Sequence, residues 1–190
     1  PPHHTISRRQ RQMCIRDSAE DVATDHPACR EALESTQRRI SQLLNSEGNT
    51  PVDSFHRELG SVMIDRCGIS RHADGLREGL EQVKALEERF EAEVRVPGET
   101  SGPNAELEKA LRVKDFFGLA QLMLRDALAR EESCGAHFRE EHQSDEGEAQ
   151  RDDVNFAHIA AWEHKADGEP IRHSEPLQFT ALQPSTRSYK

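Results

Sequence analysis

Residues 71–94 read RHADGLREGLEQVKALEERFEAEV. Within them Leu76, Leu80, Val83, Leu86, Phe90 and Val94 recur at intervals of three or four. An α-helix turns once in about 3.6 residues, so these side chains share one face. Glu78, Glu81, Glu88 and Arg89 fall on the opposite face, which reads as a solvated side. The stretch is therefore an amphipathic helix, and its apolar stripe needs other helices to cover it. Gly75 and Gly79 weaken its first turns by about 1 kcal/mol each relative to alanine. Pro97-Gly98 breaks the helix, and residues 96–103 form a short loop.

Helical patterns lie on both sides. Upstream, residues 28–46 place Leu33, Thr36, Ile40, Leu43 and Leu44 at helical spacing. Thr50-Pro51 then opens another helix. Thr50 is a good N-cap, Pro51 suits the first turn, and Asp53 favours the positive end of the dipole. Val52, Phe55, Leu59, Met63 and Cys67 form its stripe, and Gly68 stops it. Downstream, a long helix runs from an Asn104 cap to about Ser133. Leu107, Ala110, Leu111, Phe117, Met123, Leu124, Ala127 and Leu128 supply its apolar side, with a bend expected at Gly118. Phe116, Phe117, Met123 and Leu124 read as core packing rather than as a ligand-lining cluster.

After residue 140 the pattern changes. Residues 143–153 are polar and loop-like. Phe156, His158, Ala160 and Trp162 alternate as a strand does, Asp167-Gly168 signals a turn, and Ile171, Leu177, Phe179 and Ala181 suggest a second extended segment. The fold class is mainly α: an antiparallel helical bundle followed by a C-terminal extended segment with a β-hairpin. The organisation is a helical domain over residues 28–140 and an extended tail over 141–190. Residues 1–18 have no periodicity and no apolar signal core; Arg8, Arg9, Arg11 and Arg16 would suit a basic partner-binding arm, but the segment reads first as a foreign or disordered extension. His3 and His4 then support no metal site.

The bulk numbers narrow the function. The chain has 190 residues, 34% of them hydrophobic and 32% charged, with a formal net charge of −10. That charge argues against an extended phosphate-binding basic face, so nucleic acid is not the expected partner. No apolar run approaches the length of about 20 residues that a membrane span needs. Cys14, Cys29, Cys67 and Cys134 contain no C-x-x-C pair, which argues against zinc or an iron–sulfur cluster and for reduced thiols.

Catalytic motifs are missing from the sequence. It has no G-x-G-x-x-G turn, no G-x-S-x-G and no phosphate loop. His137 and His142 bracket Glu140 and Glu141, but a separation of five puts them about 140° apart on a helix, so no metal residue is assigned. Arg130 and Arg139 flank a glycine turn. They either anchor a carboxylate or phosphate, or form ion pairs with Glu131, Glu132, Glu140 and Glu141. His137 reads as an interdomain hydrogen-bond partner or as a capped loop histidine. His56 lies at the edge of a core stripe beside Phe55 and carries no catalytic role. No catalytic, cofactor-binding or metal residue is assigned. The interdomain contact residues are Arg130, Ser133, His137 and Arg139.

Four segments carry a family resemblance. Arg130-Glu131-Glu132-Ser133-Cys134-Gly135-Ala136-His137-Phe138-Arg139-Glu140-Glu141, followed by Arg151-Asp152-Asp153, resembles the R-x-E-S-R-G-x-H-x-R-x-D…R-D-D run of succinate dehydrogenase and fumarate reductase flavoprotein subunits. Phe55-His56-Arg57-Glu58-Leu59-Gly60 through Cys67-Gly68-Ile69-Ser70-Arg71 resembles the opening of that family's C-terminal helical domain. Glu108-Lys109-Ala110-Leu111-Arg112-Val113 through Arg125-Asp126-Ala127-Leu128-Ala129 to His137 resembles its long helix and turn. The ending Arg187-Ser188-Tyr189-Lys190 is similar to the family's own C-terminus. The likeness covers residues 28–190 and is greatest to the bacterial type with a single cytochrome b subunit, where Cys134 in place of arginine also recurs.

The resemblance implies a parent enzyme that interconverts succinate and fumarate with FAD and passes electrons to quinone. It implies no FAD in this part, because the family's flavin-linking and substrate residues lie upstream. The implied partners are the flavin domain of the parent chain, the iron–sulfur subunit and, indirectly, the cytochrome b subunit. The implied place is the cytoplasmic face of the bacterial inner membrane, peripheral and held by those subunits. Two rival readings stand beside it: an L-aspartate oxidase-like C-terminus, and a free-standing helical interaction module.

Overall fold

The computed structural model describes residues 25–98, 102–165, 168–181 and 183–185. The expectation for residues 1–18 and the ending Arg187–Lys190 lie outside them. The chain divides into two compact units, residues 1–42 and 43–190. Helix α1, Pro27–Leu44, spans the boundary, and its Leu33 is exposed.

The second unit is built on three helices: α2 (Val52–Cys67), α3 (Ala73–Glu93) and α4 (Ala105–Ala129). Ion pairs give their directions. Glu58 meets Arg89 and Arg66 meets Glu78, so α2 and α3 are antiparallel. Lys114 meets Glu91 and Gln121 Nε2 donates to Glu87, so α3 and α4 are antiparallel too. Lys109 reaches Asp53, which leaves α2 and α4 parallel. The apolar stripes read from the sequence meet inside. Phe90 packs edge-on against Phe55 at 5.3 Å and against Phe117 at 5.5 Å between ring centroids. Leu76, Val83, Leu86, Leu59, Val113 and Leu124 complete the core, with Leu43 buried against it.

Gly79 explains itself by proximity. A Cβ there would sit 2.8 Å from Arg66 Cβ and 3.0 Å from Leu124 Cδ2. The glycine weakens α3 locally yet lets α2 and α4 close over it.

Two short parallel pairings tie the helix ends together. β1 (Thr50–Pro51) pairs with β3 (Val94–Arg95), and β2 (Ser70–Arg71) pairs with β4 (Phe138–Arg139). Thr50 is thus a strand residue rather than the N-cap of α2; Pro51 takes that position without a side-chain bond. Asn104 does cap α4, its Oδ1 accepting from Glu106 N and Leu107 N at 3.0 Å each. A four-residue helix α5, Asp153–Phe156, precedes an antiparallel hairpin of β5 (His158–Glu163) and β6 (Ile171–Pro176). Phe156 therefore ends a helical turn instead of starting the strand, and the second strand stops at Pro176, short of Leu177–Ala181. His158, Ala160 and Trp162 share the less exposed face, and Trp162 Nε1 donates to Asp126 Oδ1 on α4 at 2.8 Å.

Phe116 and Met123 depart from the core reading. Both are exposed, whereas Phe117 and Leu124 are buried. Phe116 instead lies against the His56 ring at 5.9 Å, and with Leu119 and Met123 it forms an outer stripe on α4. No described helix is long and apolar enough to cross a membrane.

Candidate functional site

The turn after α4 holds Glu132, Ser133 and Arg139, the buried polar residues among those described. α4 ends at Ala129, four residues before the expected Ser133, because Arg130 takes an extended conformation (φ −98°, ψ 95°). Four C-terminal carbonyls of a helix lack intrahelical partners. Arg139 supplies donors here. Its Nη1 lies 3.0 Å from Ala127 O, 3.3 Å from Leu128 O and 3.2 Å from Arg130 O. A guanidinium is favourable at the negative end of a helix dipole. Its Nε reaches Glu141 Oε2 at 3.2 Å, and the side chain is only 3% exposed.

Ser133 and Glu132 are equally enclosed. Ser133 Oγ donates to Arg139 O at 3.0 Å and accepts from Arg139 N at 2.8 Å. Glu132 Oε1 accepts from Arg130 Nε at 2.8 Å, and its Oε2 accepts from Asp152 N at 2.9 Å. Ser133 N donates to Gln150 O at 2.8 Å. These bonds fasten both the turn and the 150–152 segment to the end of α4. Cys134 and His137 exchange two backbone bonds, of 2.8 and 3.1 Å, around Gly135-Ala136. Gly135 has a φ of +60°, the left-handed region that a glycine at the first central position of a tight hairpin turn reaches without strain.

His137 bridges the turn to the α2–α3 connection. Its Nδ1 is 2.9 Å from Arg71 Nη1 and its Nε2 is 2.9 Å from Arg130 O. Burial lowers its pKa below the ordinary imidazole value, and the nearby Arg71, Arg130 and Arg139 guanidinium groups push the same way, against the bond to Arg130 O. Backbone bonds reinforce the bridge: Phe138 N donates to Ile69 O at 3.0 Å and Glu140 N to Arg71 O at 2.8 Å. Ser70 Oγ donates to Glu140 Oε1 at 2.6 Å, and Ala73 N donates to Glu141 Oε1. Cys67, at the end of α2, has its thiol pKa raised by burial, with Arg71 opposing.

The structure thus brings Arg130, Ser133, His137 and Arg139 into one network. Arg130 and Arg139 take the local ion-pair reading, through Glu132 and Glu141. Ser133 and Arg139 point inward, while Arg130, His137 and the Cys134–Ala136 tip are partly or fully exposed. Sequence reasoning missed Arg71, whose signal lies 66 residues from His137. Glu132 entered the sequence reading only as one of several acidic neighbours.

No described strand runs into a glycine-rich turn at a helix N-terminus, which is how a dinucleotide is cradled. The open depression lined by Glu131, His142, Gln150, Arg151, Asp152, Asn155 and Phe156 is polar, and its Arg151 is paired with Asp153 and donates to Ser185 O. Among the described residues no group of three or more histidine, cysteine or carboxylate side chains could hold a metal.

Three helices running up, down and up, with helix-end pairings and a docked ribbon, define a mainly helical domain of the kind found in flavoprotein oxidoreductases. Residues 56–189 match the family model described as the fumarate reductase flavoprotein C-terminus, and the chain belongs to that family. It is 31% identical over 153 residues to the fumarate reductase flavoprotein subunit of Escherichia coli, covering 80% of this chain and 25% of that protein. L-aspartate oxidase 2 of Ralstonia nicotianae is 30% identical over 154 residues, covering 79% of this chain and 26% of that one. A solved quinol–fumarate reductase holding menaquinol superposes with a TM-score of 0.75 at 27% identity, over 93% of this chain and 29% of that chain. The chain spans about a quarter of the length of the curated relatives it matches.

Proposed function

We propose that this chain is the C-terminal helical part of a succinate dehydrogenase or fumarate reductase flavoprotein, and that its own contribution is structural. The parent would bind FAD and interconvert succinate and fumarate, coupled to quinone. This part would neither hold FAD nor turn over substrate alone. The match to a C-terminal family over residues 56–189 carries the reading. Surface chemistry supports it: Phe116, Leu119 and Met123 are exposed along α4, and Ile159 and Ile171 are exposed on the hairpin. Apolar faces of this kind suit burial against a larger body.

On this reading residues 28–140 are the helical domain and 141–190 its tail. The partners are the parent's flavin domain and the iron–sulfur subunit, with the cytochrome b subunit reached indirectly. The place is peripheral, on the cytoplasmic face of the bacterial inner membrane. Arg130, Ser133, His137 and Arg139 serve the interdomain contact in two ways. Ser133 and Arg139 hold the turn from inside, while Arg130, His137 and the turn backbone meet the flavin domain. The L-aspartate oxidase relative supports a second reading, of the same architecture with a different substrate.

Co-expression tests both. This chain is expressed together with the Escherichia coli fumarate reductase flavoprotein deprived of its C-terminal domain, and with its iron–sulfur subunit. Co-purification of the three with restored fumarate reduction is expected. Equal capture of the iron–sulfur subunit without this chain, or a flavin absorbance band on the chain alone, refutes the structural role. Restoration of a truncated L-aspartate oxidase instead favours the second reading.

A further inference from the structure

Both ring nitrogens of His137 are engaged, and their partners define the protonation state. Arg130 O can only accept, so Nε2 carries the proton and donates to it. Arg71 Nη1 can only donate, so Nδ1 is bare and accepts. Both bonds together require the neutral ring. Their partners belong to different segments: Arg130 caps α4, and Arg71 lies on β2 in the α2–α3 connection.

We propose that His137 is a pH-sensitive latch, closed between Arg71 and the α4 terminus when neutral and released when a solvent proton occupies Nδ1. Protonation leaves Nδ1–H facing Arg71 Nη1–H, donor against donor and cation against cation. The charges around the ring keep this outcome one-sided. Arg71 faces it from β2, Arg130 from the α4 terminus and Arg139 from β4. The carboxylates nearby are committed: Glu132 to Arg130, Glu141 to Arg139 and Ala73 N, and Glu140 to Ser70. Cys67 at the end of α2, its thiol pKa raised by burial, stays neutral where an imidazole takes up its proton. Arg71 retains its Nε bond to Gly68 O, so release moves its guanidinium tip and loosens the β2–β4 pairing beside it. This latch is a property of the turn itself, whatever the turn docks against.

Hydrogen exchange of the full chain tests it, with rates corrected for intrinsic pH dependence. The Phe138 and Glu140 amides are the reporters, since they donate across the pairing to Ile69 O and Arg71 O. Their protection is expected to fall about tenfold between about pH 7.5 and about pH 5, while Leu86 and Phe90 in α3 hold theirs. In His137→Gln the fall disappears. Should that variant not fold, Arg71→Met supplies the same test, because a protonated ring then meets no opposing guanidinium at Nδ1. Protection that stays flat in the unaltered chain overturns the latch. So does a fall shared equally by α3, or one that persists in a folded variant. Imidazole nitrogen shifts at neutral pH give an independent reading: the Nε2–H tautomer is expected, and an Nδ1–H tautomer overturns the proposal.

Discussion

Replacing Arg139 by methionine removes the donor group that closes the C-terminus of α4. The methylene stem and its packing are largely kept, so the loss is polar. Nη1 serves the carbonyls of Ala127, Leu128 and Arg130, and the side chain is 3% exposed, so no solvent shell stands ready to replace it. A hydrogen bond involving a charged group contributes about 1.5–3 kcal/mol, and three donated from one atom are not additive. The pair with Glu141 adds little, because that carboxylate is 40% exposed and screened. Deleting one partner from a buried charged network costs about 3–5 kcal/mol, and Arg139→Met belongs in that range. With a urea dependence of about 2 kcal/mol per molar, the unfolding midpoint falls by about 2 M, followed by circular dichroism. Arg139→Lys keeps the charge but lacks the planar fork, and is expected to recover about half the loss. Glu141→Gln is expected to cost less than about 1 kcal/mol. A methionine variant within about 0.5 kcal/mol of the unaltered chain refutes the assignment of Arg139 as the group that closes this helix.

Four further outcomes are expected. His137 has a folded pKa below its unfolded value, so its stabilisation is complete above the ordinary imidazole range and is lost as pH falls through the folded value; urea midpoints from pH about 7.5 downward should decline less in His137→Gln than in the unaltered chain. Gly79→Ala places a methyl 2.8 Å from Arg66 Cβ and 3.0 Å from Leu124 Cδ2, and overpacking of this kind costs about 1–3 kcal/mol, read by thermal unfolding. Trp162 is the single tryptophan, so its emission reports hairpin docking; Asp126→Leu removes its acceptor, should shift the emission to the red and cost about 1 kcal/mol. Cys67 is 8% exposed with a raised thiol pKa, so an aromatic disulfide reagent should label it more slowly than Cys29 or Cys134 in the folded chain.

The helices were legible because their apolar positions repeat locally. The stripe of α3 from Leu76 to Phe90 is buried, apart from partly buried Leu80, as its spacing demands. The Asn104 cap was legible for the same reason, since it bonds only to residues two and three positions on. Thr50 misled because the same residue type serves an N-cap and a strand, and its pairing with Val94 is set by a segment more than 40 residues away. Phe116 and Met123 misled differently. A helix hydrophobic over a wide arc carries no mark separating the side that packs within the domain from the side left outside. Of the candidate site, the residue types were visible but not their directions. Arg139 lies 12 positions from Ala127, beyond any local rule for helix ends, and Arg71 lies 66 from His137.

The direction of those side chains bears on how the turn can act. A turn whose arginines reached outward would recognise an anion by charge and would weaken with salt. Here Arg139 is absorbed by helix carbonyls and Arg130 by Glu132, so the charge is largely cancelled within the domain. What remains at the surface is the Cys134–Ala136 tip, held in one geometry by Ser133, His137 and the Gly135 turn. Rigid backbone contributes to a contact by shape, with little ordering entropy left to lose. On the proposed reading the exposed α4 stripe would add apolar area to the same contact. A contact of this kind is expected to be insensitive to salt and sensitive to any substitution that loosens the turn. Arg139→Met should therefore weaken capture by the proposed flavin-domain partner even at pH and salt where the chain itself stays folded, whereas Glu131→Gln, an exposed charge outside the network, should not.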